Sequence, residues 1–87
     1  MTKRIKYTEM LGGTLLTDWF KVGPNYILRG QITRQHNGQF ECLVLEFDSS
    51  LVKFKSESSI TKAKRTLRQL LIEAGVKFDN EIRQTSP

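Results

Sequence analysis

The sequence predicts an α+β fold: an α-β-β-β-α sandwich in which two helices pack on one face of a three-stranded antiparallel sheet. Apolar residues recur at helical spacing near the C-terminus, which indicates an amphipathic helix. Two segments of strand character flank Asn37-Gly38, the dipeptide most typical of a tight hairpin turn. At 87 residues the chain is expected to form one domain with a small core.

Residues 14–22 are predicted to form the first, short amphipathic helix, which Thr14 can cap. Its apolar residues are Leu15, Leu16, Trp19 and Phe20. Because the residue before a proline avoids helical angles, the helix is expected to end ahead of Pro24. We interpret the two aromatic residues as part of the core. A strand over the same segment is the alternative, since threonine and aromatic residues favour strands.

The next two elements are predicted to be the strands of a β-hairpin. A type I′ turn at Asn37-Gly38 requires positive φ at both residues, which asparagine and glycine tolerate best. In the register that this turn sets, Leu28 faces Phe47 and Arg29 faces Glu46. Opposite charges directly across a ladder are mildly favourable, so the charges agree with the predicted register.

A third strand is predicted over residues 51–55, after a polar turn. Its alternation places Val52 and Phe54 on one face, and Lys53 and Lys55 on the other. The two lysines are therefore expected to point away from the apolar side of the sheet.

The second strand of the hairpin carries apolar residues on both of its faces. Those of one face are Phe40, Cys42 and Val44, and those of the other are Leu43, Leu45 and Phe47. A half-buried strand alternates apolar with polar residues, so either a bulge shifts the phase or both faces are covered. Residues 5–7 or a second copy of the chain could cover the outer face, and an exposed apolar face marks an interaction site.

The last helix is predicted over about residues 59–74. Ser58 and Ser59 can accept hydrogen bonds from the free amides of its first turn. Gly75 is placed for a left-handed C-cap, which Val76 can close with an apolar contact. The apolar stripe of this helix consists of Ile60, Ala63, Leu67, Leu70, Leu71 and Ala74.

The excess positive charge of the chain is concentrated in residues 53–68. This stretch contains six lysines and arginines and one acid, Glu57, whereas the rest of the chain holds eight of each sign. Such a concentration indicates a polyanionic partner, and a phosphate backbone is the first candidate. The helix dipole also attracts anions to the N-terminal part of the predicted helix. The cations there are Lys62, Lys64, Arg65 and Arg68.

Several residues occur in an order and at spacings that a known family shares. They are Leu16-Thr17-Asp18 in the first helix, Tyr26-Ile27-Leu28 in the first strand, His36 in the loop, Phe40, Cys42 and Val44 in the second strand, and Lys62-Ala63-Lys64 in the last helix. Over residues 14–74 the chain thereby resembles the double-stranded RNA-binding domain. It departs from the family's pattern at Arg34-Gln35, Ser56-Glu57-Ser58 and Ile60-Thr61.

The resemblance implies a domain at residues 14–76, between a basic extension at 1–13 and a tail at 77–87. It also implies binding of double-stranded RNA through two successive minor grooves and the phosphates between them. The residues for one minor groove would be Thr17, Asp18 and Lys21, those for the next Gln35, His36 and Asn37, and those for the phosphates Lys62, Lys64, Arg65 and Arg68.

A DNA-binding module that uses its sheet is the alternative, because a small antiparallel sheet can enter a major groove. Its contact face would consist of Arg29, Gln31, Thr33, Lys53 and Lys55. A third interpretation is a protein-interaction domain that forms a homodimer, or binds another protein, through its sheet.

Catalysis, cofactor binding and metal binding are not expected from this sequence. It contains one histidine, one cysteine, no carboxylate pair spaced for acid–base chemistry and no cluster of metal ligands. No segment approaches the about 20 apolar residues that span a bilayer, and the N-terminus lacks the apolar run of a secretory signal. We therefore expect an intracellular protein, cytoplasmic or nuclear, with no membrane partner.

Overall fold

The computed structural model describes residues 5–78, which form one antiparallel sheet and one α-helix. The strands are β1 (Tyr7–Glu9), β2 (Leu15–Thr17), β3 (Phe20–Gly23), β4 (Tyr26–Arg34), β5 (Phe40–Glu46) and β6 (Leu51–Glu57), and the helix α1 is Ile60–Glu73. The order across the sheet is β1-β2-β4-β5-β6, and β3 pairs with the same edge of β4 as β2 does. The predicted sandwich of three strands and two helices is therefore wrong.

Residues 14–22, predicted as the first helix, form β2 and β3 instead. Leu15 and Phe20 pack against the core, whereas Trp19 is partly exposed on the opposite face of the sheet. A kink at Asp18 and Trp19 separates the two strands and shifts the side-chain alternation by one residue. Because of this shift, the apolar residues of the two short strands occur at the spacing of an amphipathic helix, which explains why a helix was predicted here.

Thr17 is a buried polar residue that compensates for this kink. The Gly30 N–H donates to Thr17 Oγ1 at 2.9 Å, because no backbone carbonyl of β2 or β3 pairs with Gly30. Thr17→Val keeps the shape but leaves this N–H buried without an acceptor, so we expect the free energy of unfolding to fall by about 1–3 kcal/mol. Urea unfolding measures it, with Thr17→Ser as the control that keeps the acceptor. Wild-type stability of the valine variant would contradict this role.

The hairpin of β4 and β5 forms, but its turn is not the predicted type I′. The Gln35 N–H donates to the Gln39 carbonyl at 2.7 Å, so three residues lie between the last paired positions. Gly38 has φ +85°, whereas Asn37 does not have a positive φ. A type I′ turn needs positive φ at both residues; a three-residue loop needs it only at the last, where glycine is preferred.

The longer loop changes the register by one residue. The prediction placed Leu28 opposite Phe47, but Leu28 pairs with Glu46. Likewise Arg29 pairs with Leu45, and its predicted ion pair across the strands does not form. Because a one-residue slip turns a strand over, the observed register decides which residues of β5 face the helix.

The helix α1 covers one face of the sheet, and its position in the sequence was predicted correctly. Ser59 Oγ accepts a hydrogen bond from the Lys62 N–H at 3.2 Å. At the other end the Val76 N–H donates to the Leu71 carbonyl at 2.9 Å, and Gly75 has φ +111°, which is the predicted left-handed cap. The buried core consists of Leu28, Ile32, Cys42, Val44, Ala63, Leu67, Leu70, Leu71, Val76 and Phe78.

Residues on both sides of the predicted domain 14–76 take part in the same fold. Strand β1 pairs with β2, and Phe78 lies buried in the core. The remaining parts of the predicted extension and tail, residues 1–4 and 79–87, lie outside the described residues.

Candidate nucleic-acid interface

Lys53 and Lys55 lie on the same side of the sheet as the helix, which corrects the prediction for β6. Lys53 pairs with Val44 and Lys55 pairs with Cys42, two residues of the face that α1 covers. The reason is an irregularity in β6, where the pairing shifts beside Val52, and a bulge of this kind turns the following residues over. The cations of the strand and of the helix therefore occupy one side of the molecule.

Three of the six cations in residues 53–68 have contacts that hold them within the fold. Lys53 Nζ lies 3.6 Å from Glu73 Oε1, Lys64 Nζ lies 5.2 Å from the centre of the Tyr7 ring, and Arg68 Cζ lies 4.3 Å from the centre of the Phe78 ring. The two ring contacts are cation–π interactions. Packing thus gives each of these three side chains a structural role.

Lys55, Lys62 and Arg65 are exposed cations, and we term them the basic surface. Within residues 5–78 none of them has a hydrogen bond from its side chain, an ion pair or a ring contact. The acid that precedes the helix, Glu57, accepts a hydrogen bond from the Thr66 hydroxyl at 2.6 Å. The basic surface therefore presents three charged groups that are available to an anion.

The residues assigned to the first minor groove do not lie together. Thr17 is buried and bonded to Gly30, and Asp18 lies at the kink between β2 and β3. Lys21 pairs with Ile27 on the face of the sheet opposite the helix. Because residues 14–22 form strands, they provide no outer helix side to carry these three residues, and Lys21 is separated from the basic surface by the sheet.

The loop residues Gln35, His36 and Asn37 lie at the end of the sheet where α1 begins. Phe40, which follows the loop, pairs with Glu57, which precedes the helix. His36 is exposed, while Asn37 Oδ1 accepts a backbone hydrogen bond within the loop at 3.0 Å. The predicted loop contacts and the N-terminus of α1 therefore share one end of the molecule.

The residues of the alternative DNA-binding face lie on two sides of the sheet. Arg29, Gln31 and Thr33 point away from the helix, because the residues that alternate with them in β4 are buried beneath it. Lys53 and Lys55 point to the helix side. These five residues do not form one contact face.

Cys42 is a core residue whose thiol has a raised pKa. Its Sγ donates to the Ala63 carbonyl at 3.3 Å, and burial raises the pKa of the thiol to about 11. The thiol is therefore protonated at neutral pH, which disfavours its use as a nucleophile. Within residues 5–78, no three His, Cys, Asp or Glu residues are grouped so that they could hold a metal ion.

The face of the sheet opposite the helix carries many apolar residues among its polar ones, and we term it the open face. Its apolar residues are Leu16, Trp19, Ile27, Leu43, Leu45, Phe47, Leu51 and Phe54. Phe47 is 72% exposed, Leu51 56% and Phe54 50%. Trp19, interpreted from the sequence as core, belongs here. The sequence feature that indicated this face is strand β5, which carries apolar residues on both of its sides.

Arg29 lies on the open face against the ring of Trp19, which itself packs against the ring of Phe47. Its guanidinium lies 4.3 Å from the centre of the Trp19 ring, which in turn lies 5.5 Å from the Phe47 ring. Arg29 Nε is buried and has no hydrogen-bond partner among the described residues. Arginine and tryptophan are the residues most enriched in interface hot spots, so this cluster is a second candidate for contact with a macromolecule.

Comparisons with known proteins identify no relative of this chain. No protein-family model, no curated protein and no solved structure matches it. Within residues 5–78, no helix combines the length and the apolar character needed to cross a membrane.

Proposed function

We propose that the protein is a non-enzymatic nucleic-acid-binding module whose basic surface contacts the phosphate backbone. The observation that carries this proposal is the group of three exposed cations, Lys55, Lys62 and Arg65, with no partner within residues 5–78. Solvated protein surfaces usually mix the two signs of charge. The acid that lies between Lys55 and Lys62 in the sequence, Glu57, accepts a hydrogen bond from a threonine hydroxyl.

Contacts of this kind are expected to give affinity with little sequence preference. Lysine and arginine bind phosphates through charge, and such contacts position a protein on a nucleic acid without reading its bases. Lys62 and Arg65 are three residues apart on one helix and thus neighbours on its surface. Neighbouring cations of this kind suit the deep, narrow major groove of A-form RNA, where phosphates of the two strands come close together.

Duplex RNA is accordingly the first ligand that we propose, on different grounds from the family resemblance. The resemblance assigned groove contacts to residues 14–22 as a helix, and these residues form strands. The proposal therefore depends on the phosphate contacts and on the adjacent loop with His36, which is exposed at the same end. The proposed preference for RNA over DNA is tested by comparing the affinities of the protein for the two kinds of duplex.

The test is a titration of labelled RNA and DNA duplexes of about 20 base pairs. This length exceeds the ~16 base pairs that double-stranded RNA-binding domains span. With three phosphate contacts, affinity is expected to fall roughly fortyfold between about 50 and about 200 mM salt. Stronger binding to RNA is expected at both salt concentrations. Equal affinity for DNA would exclude a selective role for A-form RNA, and binding that is absent or insensitive to salt would overturn the proposed function.

A further inference from the structure

We propose that the open face is the interface of a homodimer, in which two copies of the chain pack sheet to sheet. On β5 and β6 the register pairs Leu43 with Phe54 and Leu45 with Leu51, so these four apolar residues form a continuous patch. Single exposed apolar residues are ordinary, whereas a continuous apolar face marks a site of interaction. Two packed sheets would bury these residues in a layer about 10 Å thick.

The charges of the open face are complementary to those of a second copy. Arg29 lies at one end of the β4–β5 pair and Glu41 lies at the other, opposite Thr33. The separation of four residues along the strands corresponds to about 13 Å. A two-fold axis across the strands at the level of Leu43 exchanges the two ends. Each Arg29 then faces the end of the other copy that carries Glu41.

This arrangement supplies what the single chain lacks. Within residues 5–78 the Arg29 guanidinium has no ion pair with an acid, and the carboxylate of Glu41 has no hydrogen bond or ion pair. The guanidinium is already held against the Trp19 ring, so little side-chain freedom remains to be lost on association. A second copy is the one partner certain to carry both complementary charges.

The size of the face fits a dimer of ordinary dimensions. Four strand positions at about 4.8 Å spacing, β2 together with β3, then β4, β5 and β6, hold about seven to nine residues each at about 3.3 Å and give a footprint of roughly 19 by 23 Å. The accessible surface of such a face, with its side chains, is of the order of the about 800 Å² that each partner buries in a standard interface. Since α1 covers the other face of each sheet, the two basic surfaces would remain accessible on the outer sides of the dimer.

The oligomeric state in solution tests this proposal, and it is independent of nucleic-acid binding. Sedimentation equilibrium of the purified full chain is expected to give twice the chain mass of 10.1 kDa. Leu43→Glu places two like charges near the axis and is expected to weaken self-association at least roughly a hundredfold. Leu11→Glu is the matched control, because Leu11 is fully exposed in the turn between β1 and β2 and lies off the open face.

A charge exchange tests the proposed pairing itself. Arg29→Glu and Glu41→Arg are each expected to weaken the dimer, and the double variant is expected to restore it. If Leu43→Glu fails to fold by circular dichroism, Phe54→Glu replaces it, since this side chain is half exposed and outside the core. A monomeric wild-type protein, or a folded Leu43→Glu variant that still dimerises, would overturn the proposal, whatever other macromolecule the face then binds.

Discussion

Leu67→Ala is expected to lower the free energy of unfolding by about 2–5 kcal/mol, because it removes a fully buried side chain from the helix–sheet contact. Leu67 is fully buried and lies over Gly30, where a Cβ atom would be only 2.8 Å from Leu67 Cδ2 and 3.0 Å from Cγ. The strand has no side chain at this point, so nothing in β4 can fill the cavity that truncation leaves. Urea unfolding followed by circular dichroism measures the loss.

Gly30→Ala is expected to destabilise the same contact for the opposite reason. Its methyl group would overlap three atoms of Leu67, a side chain confined on all sides, and overpacking of this kind costs about 1–3 kcal/mol. In the double variant the alanine at position 30 occupies space that the truncated position 67 has vacated. The combined loss is therefore expected to be smaller than the sum of the single losses.

A second glycine of the sheet provides the control for this cycle. A Cβ at Gly23 would meet only Tyr26 Cβ at 3.8 Å, an ordinary van der Waals distance. Gly23→Ala is therefore expected to change the stability little, which separates the effect of close packing from the general effect of replacing a strand glycine. Strictly additive losses at positions 30 and 67 would contradict the close contact between helix and sheet.

The helix α1 could be predicted from the sequence because local signals define both of its ends. Ser59 caps the first turn through its own side chain, and Gly75 adopts the left-handed conformation that only glycine reaches without strain. The buried stripe also repeats within the helix itself. None of these features depends on residues distant in the sequence.

The register of the hairpin could not be predicted in the same way. Asn37-Gly38 fits both a two-residue turn and a three-residue loop, and the two choices differ by the conformation of a single residue. The observed loop places Cys42 and Val44 beneath the helix together with Leu28. Burial of such side chains outweighs the mild gain from the predicted ion pair across the strands, so the register depends on the complete core.

The segment 14–22 was mispredicted because tertiary pairing decided its structure. The nine-residue strand β4 offers an edge that β5 does not occupy, and this segment pairs along it despite its helix-like spacing. The sequence contained the correct alternative, a strand, in its threonine and aromatic residues. Local spacing alone did not distinguish a kinked strand from a helix.

The basic surface was predicted in part. Lys62 and Arg65 are exposed on the helix, as their positions indicated. Lys64, by contrast, lies over the ring of Tyr7 in β1, and Arg68 lies over the ring of Phe78 beyond the helix. These contacts join residues that no sequence pattern relates. The packing of the whole chain therefore decided which of the four predicted cations lie over aromatic rings.

Replacing Lys62 and Arg65 together by alanine is expected to weaken binding to duplex RNA and to reduce the slope of affinity against salt by about two, because each cation would contact one phosphate. Both side chains are exposed and have no partner within residues 5–78, so the stability should stay within about 0.5 kcal/mol of wild type. Titration at several salt concentrations measures the slope, and urea unfolding confirms that the fold is intact.

The control for this variant removes the same charge elsewhere. Lys6 and Lys21 are exposed cations that lie off the helix, and Lys6→Ala/Lys21→Ala lowers the net charge of +5 by the same two units. If the helix contacts phosphates directly, this control variant keeps the wild-type slope of RNA affinity against salt. The charge-preserving Lys62→Arg/Arg65→Lys variant is likewise expected to retain the affinity for RNA. If both pairs of alanine substitutions weaken RNA binding equally, the effect of Lys62 and Arg65 arises from net charge and not from direct phosphate contacts. Unchanged affinity of the Lys62→Ala/Arg65→Ala variant would instead remove both residues from the interface and overturn the phosphate-binding role proposed for α1.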